Sequence, residues 1–209
     1  MSWIASSFRS IKKLSLPLVV MAALASVAQA ATTLENMQAA FNGESNAHLR
    51  YLAFAQRAES EGYGEVASLF RAAARAEEIH AANHAEVIKE MGATPQAHID
   101  TLTVQSTREN LETALKGETW ERDTMYPGFE KQAQSDDNAR ALRSLNYARA
   151  AETEHARLFT EALANLPNLK GTTHTVFYVC PTCGFTMRDA SFAKCPTCFT
   201  AKGAFELVS

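Results

Sequence analysis

No cysteine occurs before position 180. Thiolate ligands are therefore excluded from residues 1–179, and a metal held there must take oxygen or nitrogen donors, which points away from zinc. An excess of basic residues is also missing. With Lys+Arg at 20, Asp+Glu at 23 and a formal charge of -3, the chain has no electrostatic reason to bind nucleic acid. No long hydrophobic run is present either. The longest, Leu14 to Ala28, is broken only by small residues and Pro17 and is shorter than the ~20 residues a membrane-spanning helix needs. No Arg-Arg pair precedes it, which favours the general secretory route over the twin-arginine route.

What stands at the N-terminus is a basic start (Arg9, Lys12, Lys13), that apolar run, and the small-x-small pattern Ala28-Gln29-Ala30 of a signal peptidase site. Residues 1–30 are expected to be a cleaved signal peptide, with the mature chain beginning near Ala31. The expected location is exported and periplasmic, without stable membrane insertion after cleavage. An uncleaved N-terminal anchor is the alternative. Cleavage removes three cations and no anions, which takes the formal charge from -3 to -6.

The remaining chain repeats itself. Glu77-x-x-His80 and Glu152-x-x-His155 are each preceded by a Gly-Glu pair, Gly43-Glu44 and Gly117-Glu118, at an offset of about 75 residues. Glu77 follows Glu44 by 33 residues and Glu152 follows Glu118 by 34. On a helix, i and i+3 share a face, so each Glu and His reaches one point in a bundle interior. Two such pairs plus one Glu from each remaining helix is the ligand recipe of a carboxylate-bridged di-iron or di-manganese site.

Residues 33–61 read as a helix opened by a Thr32/Glu35 capping box, and 64–91 as a second closed by Gly92. Ala93 to Gln105 contains a β-leaning run, Ile99 to Val104, and suits a long crossover. Ser106 with Glu109 opens a third helix running to about Gln134, with a kink expected at Pro127. Ser135-Asp136-Asp137 is expected to cap a fourth helix that ends before Pro167. The fold class is thus an all-α four-helix bundle with a long crossover over residues 31–166. Leu49, Leu52, Phe54, Leu69, Phe70, Leu142, Leu145 and Phe159 are its expected core. His48, His84, His98 and His174 lack partners at ligand spacing and read as solvated or capping histidines.

Residues 167–175 form a polar linker, and residues 176–209 a second, small module. Val176-Phe177-Tyr178-Val179 reads as a strand, followed by Cys180-Pro-Thr-Cys183 and Cys195-Pro-Thr-Cys198. Four thiolates as two matched knuckles make a tetrahedral site for zinc or a single iron, a pair of disulfides being the other reading. A segment this short has too little core to fold unaided, so metal binding would supply its folding energy.

With these motifs in this order, the chain resembles the rubrerythrins, which join a ferritin-like di-iron bundle to a C-terminal rubredoxin-like module. The matching stretches are Phe41-Asn-Gly-Glu-Ser45, Ala76-Glu-Glu-Ile-His80, Gly117-Glu-Thr-Trp-Glu121, Met125-Tyr-Pro127, Ala151-Glu-Thr-Glu-His155 and the two knuckles. The resemblance implies that Glu77 and Glu152 bridge two irons, that Glu44 and Glu118 are terminal ligands, and that His155 holds one iron permanently. It implies further that Glu121 exchanges with His80 on the other iron when the site is reduced. Tyr51 and Tyr126 match tyrosines that hydrogen-bond ligand carboxylates. A single iron at Cys180, Cys183, Cys195 and Cys198 and a head-to-tail homodimer are also implied. Two features depart from the family pattern. Phe199 follows Cys198 where glycine is usual, and eleven residues separate Cys183 from Cys195.

The expected function is reduction of hydrogen peroxide to water, in defence against oxidative stress, with electrons from an unidentified donor passing through the cysteine-bound iron. The alternatives are a ferroxidase or iron-handling protein and a non-catalytic electron-transfer or zinc-ribbon module.

Overall fold

The structure is a computed structural model that describes residues 31–209. The expected signal peptide lies outside the described residues. Four long helical segments form the bundle. Helix α1 spans Thr33–Ser60, α2 Gly64–Glu90, α3 Thr107–Trp120, α4 Tyr126–Ser135 and α5 Ala139–Asn165. A π-helical turn, Glu121–Met125, fuses α3 to α4, so the two together make the third segment.

Local chemistry sets most of the boundaries. Thr32 with Glu35 and Ser106 with Glu109 both form complete capping boxes. The fourth segment is capped by Asn138, whose side chain accepts from the Ala141 amide, and not by Ser135-Asp136-Asp137. Asp136 is engaged elsewhere, accepting from the Thr33 hydroxyl at 2.7 Å and tying the α4–α5 turn to the start of α1. Pro127 sits in the first turn of α4, directly after the π turn Glu121–Met125, which marks the local irregularity of the third segment.

The β-leaning stretch Ile99–Val104 makes no strand. The crossover lies extended along α1, and its backbone is hydrogen-bonded by side-chain amides. Gln38 bonds the Thr94 carbonyl (2.8 Å) and the Gln96 amide (3.1 Å). Asn42 accepts from the His98 amide at 2.7 Å, and Asn46 takes both the His98 carbonyl and the Asp100 amide at 2.8 Å. Four helical residues rise about 6.0 Å and two extended residues about 6.6 Å, so the stripe 38, 42, 46 keeps step with every second crossover residue.

The apolar interior is in two parts. One cluster holds Tyr51, Phe54, Phe70 and Phe159, with ring centroids 5.4–6.3 Å apart. The other holds Met37, Ile88, Tyr126 and Leu145. On α1 the change from one to the other brackets Glu44, and on α5 it brackets Glu152 and His155. A polar layer therefore divides the core. Leu52, expected inside, is 38% exposed.

The C-terminal module is a three-stranded antiparallel sheet in the order β2-β1-β3, with β1 Phe177–Val179, β2 Thr186–Met187 and β3 Glu206–Val208. Its approach to the bundle is set by the linker. Gly171 exchanges backbone hydrogen bonds with Gly62 and Gly64 at 2.8 and 2.9 Å. A Cβ on Gly64 would lie 2.7 Å from the Thr173 carbonyl oxygen, so only glycine lets the linker pass this close.

Candidate metal centre

The dividing layer is built by the repeat. Helix α1 brings Glu44, α2 Glu77 and His80, α3 Glu118, and α5 Glu152 and His155, all at most 1% exposed. Their donor atoms fall into two overlapping groups, each within 4.8 Å: Glu44, Glu77, His80 and Glu152, and Glu77, Glu118, Glu152 and His155. Glu77 and Glu152 belong to both groups, as carboxylates bridging two ions would. His80 Nδ1 lies 2.8 Å from Glu77 and 3.1 Å from Glu152. His155 Nδ1 lies 2.9, 3.4 and 3.6 Å from Glu152, Glu77 and Glu118.

One carboxylate oxygen from each of Glu44, Glu77, Glu118 and Glu152 is buried without a hydrogen-bond partner. An unpaired buried charge costs several kcal/mol, so four in one cage call for cations. Burial raises the Glu44 and Glu118 carboxyls well above the usual range, and the nearby charges of Glu77 and Glu152 raise them further. Burial pulls the His80 imidazole down, but the carboxylates of Glu152 and Glu77 outweigh it and carry its pKa up to about 10. Oxygen and imidazole donors with no thiolate suit a pair of iron ions.

Glu121 opens the π turn, half-buried and outside both groups of donors. Its Oε1 lies 4.0 Å from where a Cβ on Gly43 would sit. The tyrosines cross between the halves of the repeat. The Tyr51 hydroxyl donates to Glu118 at 2.5 Å, and the Tyr126 hydroxyl donates to Glu44. Tyr51 follows Glu44 by seven residues, whereas Tyr126 follows Glu118 by eight. The π turn absorbs that extra residue and returns Tyr126 to the inner face. The one-residue difference between the 33- and 34-residue spacings was its trace in the sequence.

His84 is neither solvated nor a cap. It is fully buried, with Nδ1 2.8 Å from the Ser144 hydroxyl and Nε2 3.3 Å from the Tyr126 hydroxyl. Burial pushes its pKa down to about 3, so the ring is neutral. The signal was its place one turn after His80, on the same helical face. Of the other three, His48 contacts the Ala74 carbonyl at 2.8 Å, His174 pairs with Glu59 at 3.0 Å on the surface, and the backbone of His98 joins the crossover ladder.

All four cysteines carry free thiols, with Cys180 and Cys198 sulfurs 3.4 Å apart and Cys183 and Cys195 sulfurs 3.5 Å apart. A disulfide needs about 2.05 Å, which removes the disulfide reading. A tetrahedron of thiolates at about 2.3 Å from one metal has edges near 3.8 Å, so these spacings fit a single ion. Gly184 (φ 74°) and Phe199 (φ 64°) occupy matching positions in the two knuckles. Each donates its amide to the carbonyl of the knuckle's first cysteine. Phe199 thus adopts a left-handed conformation that costs a side-chain-bearing residue roughly 1–2 kcal/mol, and it is 73% exposed.

The module sits directly on the cage. The outer nitrogen, Nε2, of His80 is 3.1 Å from the Cys183 carbonyl oxygen, and that of His155 is 3.1 Å from the Thr186 hydroxyl. Both histidines therefore turn Nδ1 to the carboxylates and Nε2 to the module, which fixes the tautomer a ligand requires. Arg75 binds Glu206 through two hydrogen bonds of 2.6 and 2.8 Å, Asn83 donates to the Thr182 carbonyl at 3.0 Å, and Arg188 pairs with Glu65.

Four helices that close a carboxylate–imidazole cage whose donors fit two ions, with a long crossover between the pairs, define a ferritin-like di-iron protein, here extended by a rubredoxin-like module. The chain belongs to the rubrerythrin family, whose model, Rubrerythrin, matches residues 35–163. It is 36% identical to Rubrerythrin-2 of Clostridium acetobutylicum over 178 residues, 84% of this chain and 96% of that protein. It is 36% identical to Nigerythrin of Nitratidesulfovibrio vulgaris over 177 residues, 83% of this chain and 85% of the relative. The solved structure of fully reduced, all-ferrous nigerythrin superposes with a TM-score of 0.78 at 32% identity, covering 95% of this chain and 100% of that one.

Proposed function

We propose that the protein reduces hydrogen peroxide to water at the bundle site, with electrons entering through the cysteine module. The observation that carries this reading is the pair of histidines whose inner nitrogens face the carboxylate cage and whose outer nitrogens bond the module, one of them at the backbone of Cys183. Iron, when bound in the cage and at the four cysteines, would supply the redox chemistry, two electrons for the O–O bond and their replacement one at a time. The chain's own groups do the rest. Glu77 and Glu152 hold the two positions together, Tyr51 and Tyr126 fix the outer carboxylates by donating to them, and the apolar clusters on either side exclude water. Glu121 is the proposed exchanging ligand. It stands beside the cage while His80 is turned inward, as the reduced half of such a cycle requires. Storage or simple ferroxidation gives no reason for a module seated on the ligand histidines.

The test is an anaerobic metal count with a visible spectrum before and after peroxide. Two irons in the bundle, one in the module and stoichiometric bleaching and return of the ferric bands are expected. Peroxide left unconsumed by the reduced protein would overturn the reading. We further propose export, with cleavage before Ala31, for which N-terminal sequencing of native protein is the check. An intact Met1 on a soluble cytoplasmic species would refute it. Among the described residues no helix is long and apolar enough to cross a membrane. A homodimer is part of the proposal, to be checked by light scattering. A strictly monomeric mass in solution, with full activity, would rule the dimer out.

A further inference from the structure

We propose that Ser144, His84 and Tyr126 form a directed hydrogen-bond chain that carries protons from a surface cleft to the Glu44 carboxylate. The inference deepens the peroxidase reading and rests on it, because H2O2 + 2 H+ + 2 e- → 2 H2O consumes protons at a site closed to solvent.

The direction of the chain follows from donor counting. Tyr126 has one hydroxyl proton, and it is given to Glu44. Its oxygen can then only accept from His84, so His84 Nε2 carries the hydrogen across the 3.3 Å contact. A neutral imidazole with hydrogen on Nε2 has a bare Nδ1, which must accept, and the partner 2.8 Å away is the Ser144 hydroxyl. Every hydrogen in the series therefore points towards the cage. Ser144 is at the other end, on the wall of a cleft of about 200 Å³ between α2, α5 and the first cysteine knuckle, lined also by Asn83, Arg140 and Tyr147. A proton arriving at the Ser144 oxygen from cleft water displaces the serine hydrogen onto Nδ1. The Nε2 hydrogen passes to the tyrosine oxygen, and the tyrosine hydrogen passes to Glu44. One proton enters, one reaches the carboxylate, and no group in the middle gains net charge.

The repeat supplies an internal control. The position matching His84 on α5 is Phe159, whose ring lies 5.7 Å from Tyr51. Tyr51 also donates to a ligand carboxylate, but its other ring neighbours are Phe54 and Phe70, and its hydroxyl has only Glu118 as partner. One half of the site is sealed with aromatic rings, while the matching half carries a buried imidazole leading to a cleft. Packing alone gives no reason for that difference, since a neutral histidine with both nitrogens buried is harder to accommodate than phenylalanine.

The test uses a pair of variants that differ only in the hydroxyl, Ser144→Thr and Ser144→Val, in the full chain. In the zinc-loaded, diamagnetic protein, nitrogen NMR of the His84 ring should show hydrogen on Nε2. Exchange of that hydrogen with solvent deuterium should be at least tenfold slower in Ser144→Val than in Ser144→Thr. In the iron-loaded protein, single-turnover oxidation of the reduced site by peroxide should slow by a similar factor in Ser144→Val, with iron content unchanged in both variants. Equal exchange rates in the two variants, or hydrogen found on Nδ1, overturns the relay whatever the peroxide result. A tenfold exchange difference in a protein that consumes no peroxide supports the relay and refutes the peroxidase reading instead.

Discussion

Replacing Gly184 by alanine tests whether the cysteine module must sit on the ligand histidines. A Cβ there would lie 2.3 Å from His80 Nε2, 2.7 Å from His80 Cδ2 and 3.1 Å from the Ala76 carbonyl oxygen. The imidazole cannot yield, because its other nitrogen is held in the carboxylate cage, and the carbonyl belongs to the backbone of α2. The module is what must withdraw. Its retreat breaks the bonds from His80 to Cys183 and from Asn83 to Thr182, each worth about 0.5–1.5 kcal/mol. The left-handed φ of 74° is a property of the knuckle turn, present whether the module is docked or not, and so does not count towards the docking loss. The docked arrangement should lose about 1–3 kcal/mol, which at 1.4 kcal/mol per decade is about a five- to a hundredfold fall in the docking constant. Both metal sites should still fill, since no ligand side chain is removed and the Nδ1 of His80 stays turned to the carboxylates. The assay is anaerobic stopped-flow, following the thiolate-to-iron absorbance as the prereduced module rereduces the bundle site after one peroxide turnover. That phase should slow about fivefold or more while the preceding oxidation of the bundle keeps its rate. An unchanged rereduction rate with both sites occupied would refute the direct contact as the electron route.

The other expectations are more compact. Glu121→Ala should keep two irons in the bundle but lose peroxide turnover, whereas Glu152→Ala should lose iron itself; full turnover in Glu121→Ala at full occupancy would end the ligand-exchange proposal. Cys195→Ser should abolish the red colour of the iron-loaded protein and leave the bundle's two irons in place, as a metal count will decide. The Glu61 carboxyl is held below its usual pKa by hydrogen bonds from the Thr107 hydroxyl and amide, at 2.6 and 2.8 Å, which tie α1 to the start of α3. A depressed folded-state pKa gives stability that is complete above the unfolded value near 4.3 and is lost as pH falls through the folded value. Glu61→Gln should therefore lower the melting temperature at pH 7 and flatten its decline below pH 4. A parallel acid limb in variant and wild type would refute that assignment.

The bundle was legible because its signals are local and repeated. Capping boxes at Thr32 and Ser106 mark two helix starts with side chains three residues apart, and the Glu-x-x-His pairs display their shared face in the chain itself. What stayed hidden depended on distant partners. Ile99–Val104 has strand propensity, but the crossover backbone is satisfied by amides on α1 more than fifty residues earlier, which no local pattern reveals. Asp136 looks like a cap until Thr33 claims it from across the bundle. The role of His84 is hidden for a related reason. Its partners are the hydroxyls of Ser144 and Tyr126, on two other helical segments, and metal-ligand spacing along the chain carries no trace of them. The π turn was present in the numbers, as one residue more in the second repeat than in the first. Reading it required knowing that Tyr51 and Tyr126 must end on equivalent faces.

The amide ladder along α1 also has a mechanical consequence for the cage. Asn42 and Asn46 are two residues either side of Glu44, which at 3.6 residues per turn places each about 200° around the helix from it. The crossover is thus fastened to the side of α1 that faces away from the metal site. Repulsion among the crowded carboxylates would exert a torque on α1 that rolls Glu44 out of line. An extended strap gripping the opposite side at three successive turns resists that roll as a splint does, without touching the site. Removing one crossover residue would put every N–H and C=O out of phase with Gln38, Asn42 and Asn46. Removing two would shift the strap by one helical turn and leave its grip intact.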